Sequence, residues 1–390
     1  MKKMSRRTAN RLVAIAFVLL FALLAATPLV PEAEVGSCLM INALGIDCDE
    51  NGVTLTAETA DGASTLTVHG EGVRVTDALQ DMNERYGRRA ELGHCGVIVM
   101  GGDMSADDIG FALMSLLSEA AASAGCATVS ASGSAEDFIG KAVELTSAAG
   151  SGVSSYIGFA DTSSSVSVPT ALSVLADLKS KSAACALPVF SAAETDVAEG
   201  TSNSQNSGSD GGSQSSSGSS GKQSELIPPR RVRAVGKTVF ELSRDAAIGQ
   251  MLFSPRAHGG LTDTEWTYGG ETCLIQGEIT DKSAGLKAGF RDGGVYVTLS
   301  VSATIRFADR FIVIEKGGGE NVVEELAASL EDAFARTLER CVLAAAESSR
   351  TEDFLGILTE LYRTSPHEFT ASRPDLSSAV FETDIKVKVS

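Results

Sequence analysis

Aromatic residues are scarce in this chain of 390 residues: they make up 5%, and there is a single Trp. Large rings therefore cannot fill the cores, and abundant Ala, Ser and Gly point to small-residue packing. Basic residues are also few. Lys and Arg number 32 against 50 Asp and Glu, a net charge of −18. That balance excludes a basic groove for nucleic acid. The seven cysteines are an odd number and cannot all pair within one chain. No Cys-x-x-Cys and no ladder of metal ligands occurs, so the cysteines read as buried thiols, with no disulfide framework, metal or cofactor site. What the chain does have is apolar content, 43%, enough for real cores, in a length that suggests two or three domains.

The N-terminus is built differently from the rest. "MKKMSRRTANR" carries Lys2, Lys3, Arg6, Arg7 and Arg11 and no acid. The uncharged run Leu12–Val30 follows, 19 residues long, close to the roughly 20 that span a bilayer. The positive-inside rule puts the N-terminus in the cytoplasm and the remainder outside. A cleaved signal peptide is the alternative, with a shorter apolar region of about 7–15 residues. "VGSC", Val35 to Cys38, loosely resembles a lipoprotein cleavage site, which makes Cys38 the candidate for lipid attachment. Against this, Pro28, Pro31, Glu32 and Glu34 separate it from the apolar run, and "CLMINALGID" reads as a buried strand.

Beyond the anchor the elements are short. "CLMINALGID" and "VTLTAETA" read as strands joined by the Asn-Gly turn "CDENG". "STLTVHGEG" is a third strand, Thr76 to Tyr86 a helix with Ala78, Leu79, Met82 and Tyr86 on one face, and "CGVIVMG" a central strand. Ser105 with Asp108, and Ser134 with Asp137, stand at capping-box spacing ahead of two more helices, and "CATVSAS" lies between as a strand. "GTSNSQNSGSDGGSQSSSGSSG", Gly200 to Gly221, cannot bury apolar surface and is expected to be a disordered linker. After it, "VRAVGKTVFELSRDAAIGQML" reads as strand, turn, and strand or helix; "ETCLIQGEIT" and "GGVYVTLSVSATIRFA" read as long strands. Asn321 is the expected cap of the longest helix, whose face repeats at Val322, Leu326, Leu330, Phe334, Leu338 and Val342. "DFLGILTELYR" is a further helix stopping before Pro366, and "FETDIKVKVS" a final strand.

The resulting fold class is mixed α/β (α+β): a multi-domain ectodomain of mixed β-sheets packed with helices, behind an N-terminal membrane anchor. The expected division is a basic segment and anchor at 1–31, an N-terminal α/β domain at 32–193, a Ser/Gly linker at 194–227, a middle domain at 228–291 and a C-terminal α/β domain at 292–390.

Several residues invite a chemical reading. His94 and Cys95 are neighbours, as a cysteine nucleophile and its base would be. They open an apolar strand, where successive side chains point to opposite faces, and no third member is marked. A buried, inert thiol is the plainer reading. Gly70-x-Gly72 lacks the third glycine of a dinucleotide loop. Asp47, Asp49 and Glu50 lack the spacing of a calcium loop and read as an acidic turn.

The series "ALGIDCDENGVTLTAE", "VHGEGVRVTDALQDM" and "GRRAELGHCGVIVMGGDMSADDIGFALMSLL" resembles the Ger(x)C family of spore germination proteins. Gly45, Ile46, Asp47, Gly70, Gly72, Ala78, Leu79, Gly93, His94 and Gly101 occupy matching places. "ALPVF", "VGKTVFELSRDAAIGQML", "DFLGILTELYRTSPHEF" and "FETDIKVKVS" extend the resemblance to the C-terminus. Cys38 departs from the family's pattern, lying only seven residues before Gly45 with no Trp-Asp after it. The resemblance implies structural roles for Gly45, Ile46, Asp47, Gly93 and His94, and no catalytic centre. It implies a non-enzymatic C subunit of a germinant (nutrient) receptor at the inner spore membrane, partnered by integral-membrane A and B subunits. Two other readings stay open at this point: a membrane-anchored extracytoplasmic enzyme acting on cell-envelope polymers, and an envelope scaffold binding only proteins.

Overall fold

A computed structural model describes residues 38–61, 64–148, 152–163, 166–196, 222–255, 259–268, 271–307 and 320–390. The anchor Leu12–Val30 and the segment Gly200–Gly221 lie outside the described residues. Among the described residues no helix is long and apolar enough to cross a membrane.

The chain begins with three antiparallel strands: β1 (Cys38–Asp49), β2 (Gly52–Asp61) and β3 (Ser64–Gly72). The β1–β2 turn forms because Asp49 Oδ1 accepts from the backbone N–H groups of Asn51 and Gly52, at 2.7 and 3.1 Å. Helix α1 (Val75–Tyr86) follows, then β4 (Arg89–Glu91) and β5 (Val97–Met100). Helix α2 (Ala106–Ser118) leads to β6 (Ala127–Ala131). Helices α3 (Ala135–Ala148), α4 (Val153–Ser163) and α5 (Ala171–Leu178) lead to β7 (Cys185–Asp196). β5, β6 and β7 add in parallel to β1, as crossover helices require. The sheet is completed by β8 (Lys222–Val235) and β9 (Val239–Glu241), both antiparallel.

Helices cover both faces of this sheet. Ile98 and Met100 of β5 join one core with residues of α1, α2 and α5, including Met82, Leu113 and Val174. Val97 and Val99 face the other way and join Phe138, Ile139 and Ile157 of α3 and α4. That two-sided burial explains the unbroken apolar run of β5.

The second sheet runs β10 (Gly260–Tyr268), β11 (Glu271–Arg291), β12 (Gly294–Phe307) and β13 (Val380–Val389), with β13 parallel to β12. Helix α6 (Arg244–Phe253) precedes it, and α7 (Glu320–Ser348) lies across it. Leu326, Leu330, Phe334, Leu338 and Val342 of α7 pack against Val295, Val297, Leu299 and Val301 of β12. Two short helices, α8 (Ile357–Thr364) and α9 (Pro366–Ser372), lead into β13.

The α+β class and its mixed sheets match the sequence reading, but three details differ. Strand pairing runs through the expected linker edges: Asp196 pairs with Lys222 and Ser191 with Ile227. The boundaries expected at 227/228 and 291/292 fall within paired structure, because β8 belongs to the first sheet and the Arg291↔Gly294 pair closes the β11–β12 hairpin. Asn321 lies inside α7, which begins at Glu320, a one-residue difference of the kind helix ends show. The helix expected to stop before Pro366 does so, since α8 ends at Thr364, and the fixed φ of Pro366 then starts α9 at its first position.

Candidate functional site

The family-like motif residues seat helices. Asp47, at the far end of β1, accepts from the backbone N–H of Ala135 at 2.8 Å and of Glu136 at 2.9 Å, and from Ser134 Oγ at 3.3 Å. It caps α3 from across the sheet, together with Ser134, whose hydroxyl accepts from Asp137 N at 3.2 Å. Glu58 of β2 does the same for α4, accepting from Val153 N at 3.2 Å. Burial pushes the Glu58 carboxyl upward, and the Val153 N–H partly offsets that. Gly45 lets α3 lie directly on β1: a Cβ there would stand 3.0 Å from Ile139 and 3.2 Å from Ala135. At Gly70 a Cβ would stand 2.2 Å from the carbonyl oxygen of Ala78, so α1 rests on bare backbone. Ile46 is fully buried, and its carbonyl accepts from Gly101 N at 2.8 Å.

His94 and Cys95 are not the start of a strand, which begins at Val97. Gly93 and His94 form an exposed turn, closed by Cys95 N donating to Leu92 O at 3.0 Å. Cys95 is buried, and its thiol donates to Val97 O at 3.2 Å. Cys126 donates to Cys95 O at 2.7 Å. The Cys126 contact and burial both hold the Cys95 thiol well above its ordinary pKa. A protonated thiol in such a setting is no nucleophile. All seven cysteines are free thiols, and among the described residues no three His, Cys, Asp or Glu gather as a metal site. Cys38, the lipid-attachment candidate, is the first residue of β1 and pairs with Arg89 of β4.

The remaining polar chemistry collects where the two sheets meet. Glu352, after α7, accepts from Thr238 N at 2.6 Å and Thr238 Oγ1 at 2.8 Å in the β8–β9 turn. Asp353, buried, caps α8 by accepting from Ile357 N at 2.9 Å and Leu358 N at 2.7 Å. Burial raises its carboxyl to about 6, against the opposing effect of these hydrogen bonds. Ser182, ahead of β7, shares a 2.8 Å hydrogen bond with Thr359 of α8. Apolar contacts run alongside, with Val232, Ala234, Ala246 and Ala247 against Ala344 and Phe354. A cleft of about 400 Å³ opens in this seam, lined by residues of α5, α6, α8 and the turn before α8. None of these residues is marked by sequence spacing. They come from three separate stretches, and each stretch reads alone as a turn or helix end.

Residues 33–192 match the family described as spore germination protein N-terminal domain. No curated protein matches the chain. Among solved structures the chain is similar to the crystal structure of the GerBC protein, at 14% identity and a TM-score of 0.47, over 89% of this chain and 96% of that one. Residues 33–192 thus form a spore germination protein N-terminal domain, in line with the resemblance of the sequence to the Ger(x)C family.

Proposed function

We propose that the protein is the C subunit of a germinant receptor and works by assembly, without turnover. The observation that carries this reading is the match of residues 33–192 to the spore germination domain. The chemistry of the conspicuous residues supports it: Asp47 caps a helix, Cys95 is a buried and protonated thiol, and His94 stands on an exposed turn. In this proposal Leu12–Val30 anchors the chain in the inner spore membrane, the ectodomain stands outside the cytoplasm, and integral-membrane A and B subunits are its partners. The strand position of Cys38 favours the apolar run over a lipid as the anchor. Intact-mass measurement on membrane-extracted protein should find the N-terminal segment retained. A diacylglyceryl-modified Cys38 at the N-terminus would show the opposite.

The test of function makes His94→Ala and Cys95→Ser in the native spore-former and measures germination beside the amount of protein in the inner membrane. Function should follow abundance for both variants. Germination lost at undiminished abundance, for either variant, would return a catalytic reading. Co-purification of the A and B subunits with the wild-type chain tests the assembly itself.

A further inference from the structure

The cleft in the seam has an unbalanced lining. Among the described residues no Lys, Arg or His lines it, while the carboxylates of Asp177 and Glu360 do. Most of its polar groups are already committed. Ser167 and Ser254 share a 2.6 Å hydrogen bond, Ser182 is paired with Thr359, and Ser180 donates to the Asp177 carbonyl at 2.7 Å. Glu360 is held by Arg363 at 2.7 Å. Two acceptors remain. Gln250, at the end of α6, has its Oε1 buried without a hydrogen-bond partner. The carboxylate of Asp177, an exposed residue, lines the cleft with no described cation paired to it. The other walls are apolar: Phe253, Leu286, Phe354 and Leu355.

A described lining with free acceptors, no cation and an apolar side selects its occupant by chemistry. An anion meets no countercharge among the described lining residues and is repelled by Asp177. A hydrocarbon leaves Gln250 Oε1 unmatched. We propose that the cleft binds a small organic amine, its ammonium group donating to these acceptors and its aliphatic part lying against Phe253, Leu286, Phe354 and Leu355. Because the cleft is walled by both sheets' neighbours, an occupant bridges the two halves of the ectodomain. The proposal rests on the cleft and not on receptor assembly, so titration of the purified chain can fail while assembly with partners stands, and the reverse.

The test is calorimetric titration of the full-length chain, in a mild non-ionic detergent, with three probes sharing one branched tail. Isobutylamine should bind saturably at one site. Isobutanol should bind about tenfold more weakly or not detectably, and isovalerate should not bind. Asp177→Asn, at an exposed position, should weaken isobutylamine about tenfold without changing the melting temperature. Gln250→Met should abolish the preference for amine over alcohol and raise the melting temperature of the empty protein, because it removes an unmatched acceptor. Absence of saturable isobutylamine binding would overturn the proposal. So would equal binding of all three probes, or amine binding unchanged in both variants.

Discussion

At the scale of single residues, neighbours in sequence have different fates. His94 is exposed on its turn and Cys95 is buried one residue later, so the two substitutions should separate. His94→Ala should change stability by less than about 0.5 kcal/mol, and Cys95→Ser should cost about 1–3 kcal/mol, read from urea midpoints. Equal losses would mean that His94 has a structural partner of its own. Asp47 is the opposite case, an exposed-turn acid in the sequence that caps a helix in the fold. Asp47→Ala removes the acceptor of two α3 N–H groups and should cost about 1–2 kcal/mol, with Asp47→Asn losing less. Asp353 gives the residue-scale pH response. Its carboxyl stands at about 6 in the fold against an ordinary 3.8, chiefly through burial. Between those values the folded chain holds a proton that the unfolded chain has released. The Asp353 contribution therefore falls as pH rises through that window, and is level above it. Asp353→Asn should flatten the stability difference between acid and neutral solution, checked by denaturant titration on both sides of the window. An unchanged slope would place the titrating group elsewhere.

At the scale of elements, close approach between helix and strand is the recurring device. A Cβ at Gly70 meets the Ala78 carbonyl at 2.2 Å and Met82 Cβ at 2.8 Å, so Gly70→Ala must lift α1 off β3. The expected cost is about 1–3 kcal/mol, with faster hydrogen exchange in α1 before the rest of the domain. A neutral effect would show that α1 is free to shift. The same elements show why some of the fold was legible and some was not. Helices α2 and α3 announce themselves because Ser105 and Ser134 cap them locally, and α7 and β12 because their long apolar periods are uninterrupted. β10 is not legible in the sequence because its buried face is Thr262, Thr264 and Trp266; Thr264 Oγ1 donates to Ala333 O at 3.1 Å, so a core-facing strand reads as polar. α5 carries no acidic capping signal, because its capping box uses Ser173 in place of an acid. Of the site, the helix-seating motif was legible as a series of glycines and Asp47, though not its mechanism. The cleft was not legible at all, because Asp177, Gln250 and Thr359 meet only once both sheets have formed.

At the scale of the whole molecule, two sheets share a seam, and the chain's most polar stretch connects β7 to β8. β7 and β8 stay paired out to Asp196↔Lys222. Their ends are therefore neighbours, and the 25 residues between them, 197 to 221, close a hairpin that needs far fewer. Deleting Gly200–Gly221 leaves Val197, Ala198 and Glu199, a length that hairpins use. Shortening the loop also lowers the entropy lost on closing it, by the order of 1–2 kcal/mol for an eightfold reduction. The melting temperature of the deletion variant should thus equal or exceed that of the wild type by a few degrees. The composition of the segment agrees, since Ser and Gly bury too little apolar surface to offset ordering. A drop of many degrees would mean that the segment packs on the sheet. Germination assayed in the same strain then separates two further outcomes. Normal germination with normal stability leaves the segment a spacer, whereas lost germination with normal stability makes it a contact surface for a partner subunit.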